Sequence, residues 1–131
     1  MRELNTSLTF VLCNARSICN KLSELSDFVN LSLPDIICIS ETWLNTAYSS
    51  SVLGLKNYAI YRKDRLNRGG GVLLAIKNNL VSNEVMFSSD SEIIAVNLTI
   101  ASTVLRVIAS YRPPSTSSDS KNFPRRYIQT N

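Results

Sequence analysis

The 131-residue sequence contains no histidine. That removes the side chain most used for proton transfer near neutral pH and the commonest ligand of transition metals. Cysteine is scarce: Cys13, Cys19 and Cys38 are odd in number, lie in or beside apolar runs and lack the paired spacing of a zinc site. They read as buried, reduced thiols, which points to a nuclear or cytoplasmic protein. Long apolar stretches are also missing. Residues 72–76 and 104–109 are the longest, far below the ~20 that a bilayer span needs, so no membrane partner is expected. The segment LTFVLC is too short for a secretory h-region and is followed by Asn14 and Arg16, so no leader is expected and the sequons at Asn5, Asn30 and Asn97 read as chance matches.

What is present suits one globular domain, since 44% of the residues are hydrophobic. The formal net charge of +4 is compatible with nucleic acid without requiring it. Residues 8–13 form a β-rich apolar run, after which the period changes. From Ser17, Ile18, Leu22, Leu25, Phe28, Val29 and Leu33 recur at helical spacing, predicting an amphipathic helix over 17–32 that Pro34 ends. IICIS supplies a second strand within 34–40, and strand, helix, strand in about thirty residues is a βαβ-like unit. Residues 45–51 read as a surface loop. Residues 58–62 and 71–77 form a hairpin around KDRLNRGGG, and residues 92–100 and 103–111 form another across Ala101 and Ser102. From Pro113 the chain turns proline- and serine-rich, predicting an undocked tail over 115–131 after a domain over 1–114.

Four segments in this order carry a resemblance: LCNARSICNKLSEL, PDIICISETWLN, YAIYRKDRLNRGGGVLLAIKNNL and LRVIASYRPP. Together, over residues 8–114, they resemble the apurinic/apyrimidinic-like endonuclease domain of non-LTR retrotransposons, within the endonuclease/exonuclease/phosphatase superfamily. The resemblance implies an α+β fold, a deoxyribonuclease-like β-sandwich with covering helices, and it extends only to the N-terminal half. On that basis this chain is expected to supply about one of the two sheets and to leave an apolar sheet face uncovered.

The resemblance also implies a site. Asn14 and Glu41 match the family's metal-binding and phosphate-positioning Asn and Glu, with Mg²⁺ as the cofactor, or Mn²⁺ in its place. Tyr111 matches an active-site Tyr that hydrogen-bonds phosphate. Arg62, Arg65, Arg68 and Arg112 become candidates for contact with DNA, the implied partner, and an intact element would carry a reverse transcriptase downstream. Active members also have a Gly-Asp-Phe-Asn segment and a terminal Ser-Asp-His; neither occurs here. The expected function is therefore a truncated endonuclease, ancestrally an Mg²⁺-dependent DNA-nicking hydrolase and inactive as this chain. The rival is a non-catalytic remnant that binds DNA or protein.

Each residue also has a plainer reading. Mg²⁺ keeps most of its waters, so a single carboxylate such as Glu41 can suffice, but a lone Glu at a strand end is commonly just solvated. Asn14 is equally a turn or N-cap residue, and Tyr111 an aromatic at the core edge. Trp43 reads as a packing anchor rather than a base-stacking platform. The RGGG stretch is no P-loop, because a strand follows it rather than a helix opened by Lys and Ser or Thr; its glycines read as freedom for a tight hairpin and bulge. Asp64 and Glu92 are not expected at the same rim as Glu41.

Overall fold

The computed structural model describes residues 7–67, 69–114 and 126–130. Its elements run β1 (Phe10–Asn14), α1 (Leu22–Ser32), β2 (Ile36–Ser40), a short 3-10 turn (Ser50–Leu53), β3 (Tyr58–Lys63), β4 (Val72–Lys77), β5 (Val81–Val85), β6 (Glu92–Ile100), β7 (Thr103–Tyr111) and β8 (Arg126–Thr130). Two four-stranded sheets result, ordered β1-β2-β4-β3 and β5-β6-β7-β8. β1 and β2 are parallel, joined through α1, and every other pairing is antiparallel.

The continuous apolar runs of β2 and β4 are explained by burial on both faces, which removes the alternation seen in half-exposed strands. Ile37, Ile39, Leu73 and Ala75 point to one side, where they pack with Ile18 and Val29 beneath α1. Ile36, Cys38, Val72, Leu74 and Ile76 point to the other, where they meet Ile94, Val96, Leu98, Val107 and Ala109 of the second sheet. The chain therefore closes a sandwich core by itself. This corrects the expectation of one sheet with a bare apolar face: the outer side of the second sheet alternates Ile93 and Ile108, both half-buried, with Asn97, Thr99 and Arg106. Exposed apolar side chains do mark the edge strand β1, where Phe10 and Leu12 are 41% and 50% exposed.

The helix begins five residues later than its periodicity predicts. Arg16 and Ser17 have φ of 47° and 78°, outside the helical region. The amides of Ser17 and Ile18 donate to the carbonyls of Glu41 and Thr42 at 2.9 and 3.0 Å, so this stretch is tied to the end of β2. At the other end Leu33 takes φ 47° and its N–H closes on Val29 O, a left-handed cap, and Pro34 prevents continuation. Phe28, expected on the buried face, is 48% exposed.

β5 escaped the sequence reading because VSNEV is an edge strand with little apolar character. The tail is corrected in part: residues 126–130 pair with β7 as β8, whereas 115–125 and 131 lie outside the described residues. Among the described residues no helix is long and apolar enough to cross a membrane. Cys38 is buried, and burial pushes its thiol up to about 12, with Cys13 adding to the rise.

Leu74 lies fully buried between the sheets, so Leu74→Ala should cost about 2–5 kcal/mol in denaturant unfolding. Leu66→Ala, at a fully exposed position, should change stability by no more than about 0.5 kcal/mol.

Candidate functional site

Parallel pairing sets the first two residues of the site. Asn14 ends β1 directly opposite Ser40 at the end of β2, so Asn14 and Glu41 leave neighbouring strands at one rim. Asn14 Oδ1 accepts the Arg16 amide at 3.2 Å, an Asx-type turn that keeps the local role open to it. Ser40, between them in the ladder, is 2% exposed and its hydroxyl has no hydrogen-bond partner among the described residues.

Beyond Ser40 the backbone is strained. Glu41 and Trp43 have φ of 54° and 58° on either side of the buried Thr42, conformations that cost non-glycine residues roughly 1–3 kcal/mol each. Gly70 and Gly71 hold them there. Trp43 N donates to Gly70 O at 2.9 Å and Thr42 N to Gly71 O at 3.4 Å. A Cβ at Gly71 would meet Thr42 Oγ1 at 2.4 Å, and one at Gly70 would meet Glu92 Oε1 at 2.3 Å. These glycines thus permit a close backbone approach as well as a turn.

Sheet packing delivers the remaining groups. Tyr111, the last residue of β7, is 8% exposed and its hydroxyl donates to Glu41 Oε1. Burial, then this bond to the carboxylate, raises the phenol to about 12. Glu92, the first residue of β6, pairs with Tyr111 in the ladder. Its carboxylate accepts Arg65 Nε at 3.1 Å, Arg65 Nη2 at 3.0 Å and the Gly71 amide at 2.7 Å. Arg65 is raised chiefly by its bond to Glu92, and Tyr111 and Glu41 are close enough to add to the effect.

The structure therefore brings Asn14, Glu41, Tyr111 and Arg65 to one rim, together with Glu92, which was not expected there. A signal for Glu92 was present: with Ala101 and Ser102 as a two-residue turn, counting back along the hairpin pairs Glu92 with Tyr111. Arg62 is corrected. All five of its N–H groups are engaged, by both Asp64 oxygens, Tyr48 O, Ser50 Oγ and Asn45 O, so it staples the 45–50 loop and has no donor left for phosphate. Arg112 follows Tyr111 and lines a groove of about 750 Å³ with Lys63, Arg65 and Glu92. Arg68 lies outside the described residues. Trp43 is corrected too: it is 40% exposed and faces a surface hollow instead of anchoring the core.

As a donor set, the rim presents oxygen. One Glu41 oxygen takes the Tyr111 hydroxyl and the other accepts no hydrogen bond among the described residues, with the Asn14 amide on the adjacent strand end. No group of three or more His, Cys, Asp or Glu converges among the described residues. Such a set fits a largely hydrated hard cation and does not fit a metal that needs three or four protein ligands.

No family model and no curated relative matches the chain by sequence. Solved structures do match by fold. An AP endonuclease from Leishmania major superposes with a TM-score of 0.65 at 20% identity, over 79% of this chain and 40% of that one. An AP endonuclease from Archaeoglobus fulgidus gives 0.62 at 22%, over 88% and 45%. The 3' phosphatase NExo from Neisseria, bound to a product DNA hairpin, gives 0.61 at 17%, over 80% and 41%. The chain thus has an α+β, endonuclease/exonuclease/phosphatase-like fold, and it spans less than half the length of these proteins.

The raised Tyr111 phenol fixes a pH dependence. The folded chain keeps this proton between 10, the ordinary phenol value, and about 12, where the unfolded chain has lost it. Its contribution to stability is constant below pH 10 and is lost as pH rises toward 12. Phenolate absorbance across an alkaline titration should show one late-titrating tyrosine fewer in Tyr111→Phe, and the variant's stability should fall less steeply over that window.

Proposed function

We propose that this chain is the N-terminal part of a divalent-metal-dependent phosphodiester hydrolase that acts on DNA, of the kind found in non-LTR retrotransposons. The observation that carries the reading is the meeting of Glu41, Tyr111 and Arg65 at one rim, with Asn14 beside them on the neighbouring strand. A carboxylate, a phenol kept protonated and a fixed guanidinium are the groups needed to hold a phosphodiester: a metal ligand, a neutral donor and a positive charge.

In this proposal Glu41 and Asn14 hold hydrated Mg²⁺, which when bound supplies charge stabilisation to the phosphate. Arg65, fixed by Glu92, binds a non-bridging oxygen through the guanidinium edge that Glu92 leaves uncovered. Tyr111 donates to Glu41 in the absence of substrate and turns its proton toward a phosphate oxygen when one arrives. The groove along Lys63 and Arg112 carries the flanking backbone. The retrotransposon assignment, and with it a reverse transcriptase partner, rests on the sequence resemblance.

Hydrolysis further requires a group that orients and deprotonates water and one that assists the leaving oxygen, and general acid–base help of this sort is worth ~10²–10⁴-fold. The rim residues include no such pair, so the proposal assigns binding to this chain and cleavage to a complete site.

The purified chain should bind a short DNA duplex more tightly with Mg²⁺ than with chelator, and Glu41→Gln should abolish the difference. Arg65→Gln should reduce the slope of log affinity against log salt by roughly 0.7–0.9, the signature of one lost phosphate contact. Supercoiled plasmid should stay intact with Mg²⁺ or Mn²⁺. Nicking that disappears in Glu41→Gln would contradict the assignment of cleavage elsewhere, and absence of metal-sensitive binding would contradict the site itself.

A further inference from the structure

Next to the rim, across the Arg65–Asn67 segment from the large groove, lies a second hollow of about 360 Å³, the lower end of the volumes that hold small ligands, about 300 Å³ upward. Its walls include Trp43, Tyr48, Asn67 and Arg65. Trp43 and Tyr48 are 40% and 37% exposed, so their rings are available to a ligand. Arg65 belongs to both hollows. Its Nη1 and the Trp43 indole nitrogen reach the same point, 3.6 and 3.9 Å from where a Cβ would stand on Gly69.

Trp43, Tyr48 and Arg65 are each held in place. Trp43 is set by its left-handed backbone and its bond to Gly70. Tyr48 sits on the loop that Arg62 staples through Asn45 O and Tyr48 O at 2.9 and 2.8 Å. Arg65 is clamped by Glu92. Leu66, next to that clamp, is fully exposed and lines both hollows. A single exposed leucine is ordinary. One projecting beside the Arg65–Glu92 pair, between a groove lined by charges of both signs and an aromatic hollow, has the form of a wedge that parts stacked bases.

We propose that this hollow receives one unstacked nucleobase of the DNA strand whose phosphate lies at Glu41 and Tyr111, with Leu66 as the wedge that opens the stack. The inference rests on the nucleic-acid reading of the rim and deepens it. Aromatic faces suit any base, the Asn67 amide offers a donor and an acceptor to a base edge, and Arg65 joins the base site to the phosphate site next to it. The class of substrate is therefore DNA that is single-stranded or easily unstacked at the bound phosphate.

Trp43 is the one tryptophan in the sequence, so its emission reports on this hollow alone. The full chain is titrated with an oligothymidylate of about eight nucleotides and with an abasic sugar-phosphate oligomer of equal length. The base-bearing strand should bind roughly tenfold more tightly and quench Trp43, and the abasic strand should bind without quenching. Tyr48→Ala, at an exposed position, should remove most of the tenfold preference and leave abasic binding unchanged. Leu66→Ser should weaken binding to duplex DNA more than binding to oligothymidylate. Equal binding of the two strands with unchanged Trp43 emission would overturn the base site while the phosphate site stands. Failure of both strands to bind would overturn the base site together with the nucleic-acid reading of the rim.

Discussion

The hydrogen bond from Tyr111 to Glu41 depends on how the two sheets pack. Glu41 leaves the end of β2 in the first sheet and Tyr111 ends β7 in the second, so the two can meet only if the sheets are in contact at the right height. The core that sets this height includes Ile36, Val72, Leu74, Val96 and Val107, all fully buried. Tyr111 is itself the last member of that core, which ties the rim to the strongest packing in the molecule. A shift of one residue in β7 would turn Tyr111 to the outer face and replace it with Ser110 or Arg112. The two-residue turn at Ala101 and Ser102 holds the register against such a slip.

A second constraint is backbone contact. The carbonyls of Gly70 and Gly71 face the amides of Trp43 and Thr42, and the space between the segments leaves no room for a Cβ at Gly70 or Gly71 without displacing Glu92 or Thr42. Left-handed conformations at Glu41 and Trp43 are unfavourable in isolation, and they persist because ladder-like bonds on both sides over-determine them. The same bonds explain why the helix starts late, since the amides of Ser17 and Ile18 are spent on Glu41 and Thr42. Glu92 unites these elements: one carboxylate fixes Arg65, caps the Gly71 amide and stands beside Tyr111 in the ladder.

Local patterns were legible in the sequence and non-local consequences were not. The apolar runs of β2 and β4, the amphipathic turn structure of α1 and the β6–β7 hairpin are each encoded within about twenty residues, and the structure has them close to where periodicity puts them. β5 was silent because an edge strand exposes most of its side chains. The second sheet was less legible because a hairpin's alternation shows that Ile94, Val96 and Leu98 face inward and not what they pack against. At the site, Glu41 and Tyr111 came from a family pattern, whereas Glu92 required hairpin arithmetic and Arg62 required knowing where the 45–50 loop lies. Charge in a turn did not distinguish a guanidinium held out toward solvent from one consumed by its own loop.

Glu41 and Asn14 are the residues proposed to hold a divalent cation at the rim. Mn²⁺ is paramagnetic and broadens amide resonances near its binding position, so titrating it into the isotopically labelled chain locates the ion directly. The first resonances to broaden should be those around Asn14, Ala15, Glu41 and Thr42, and Glu41→Gln should abolish the effect. Broadening centred instead on the acidic face of α1, around Glu24 and Asp27, with the rim unaffected, would contradict it.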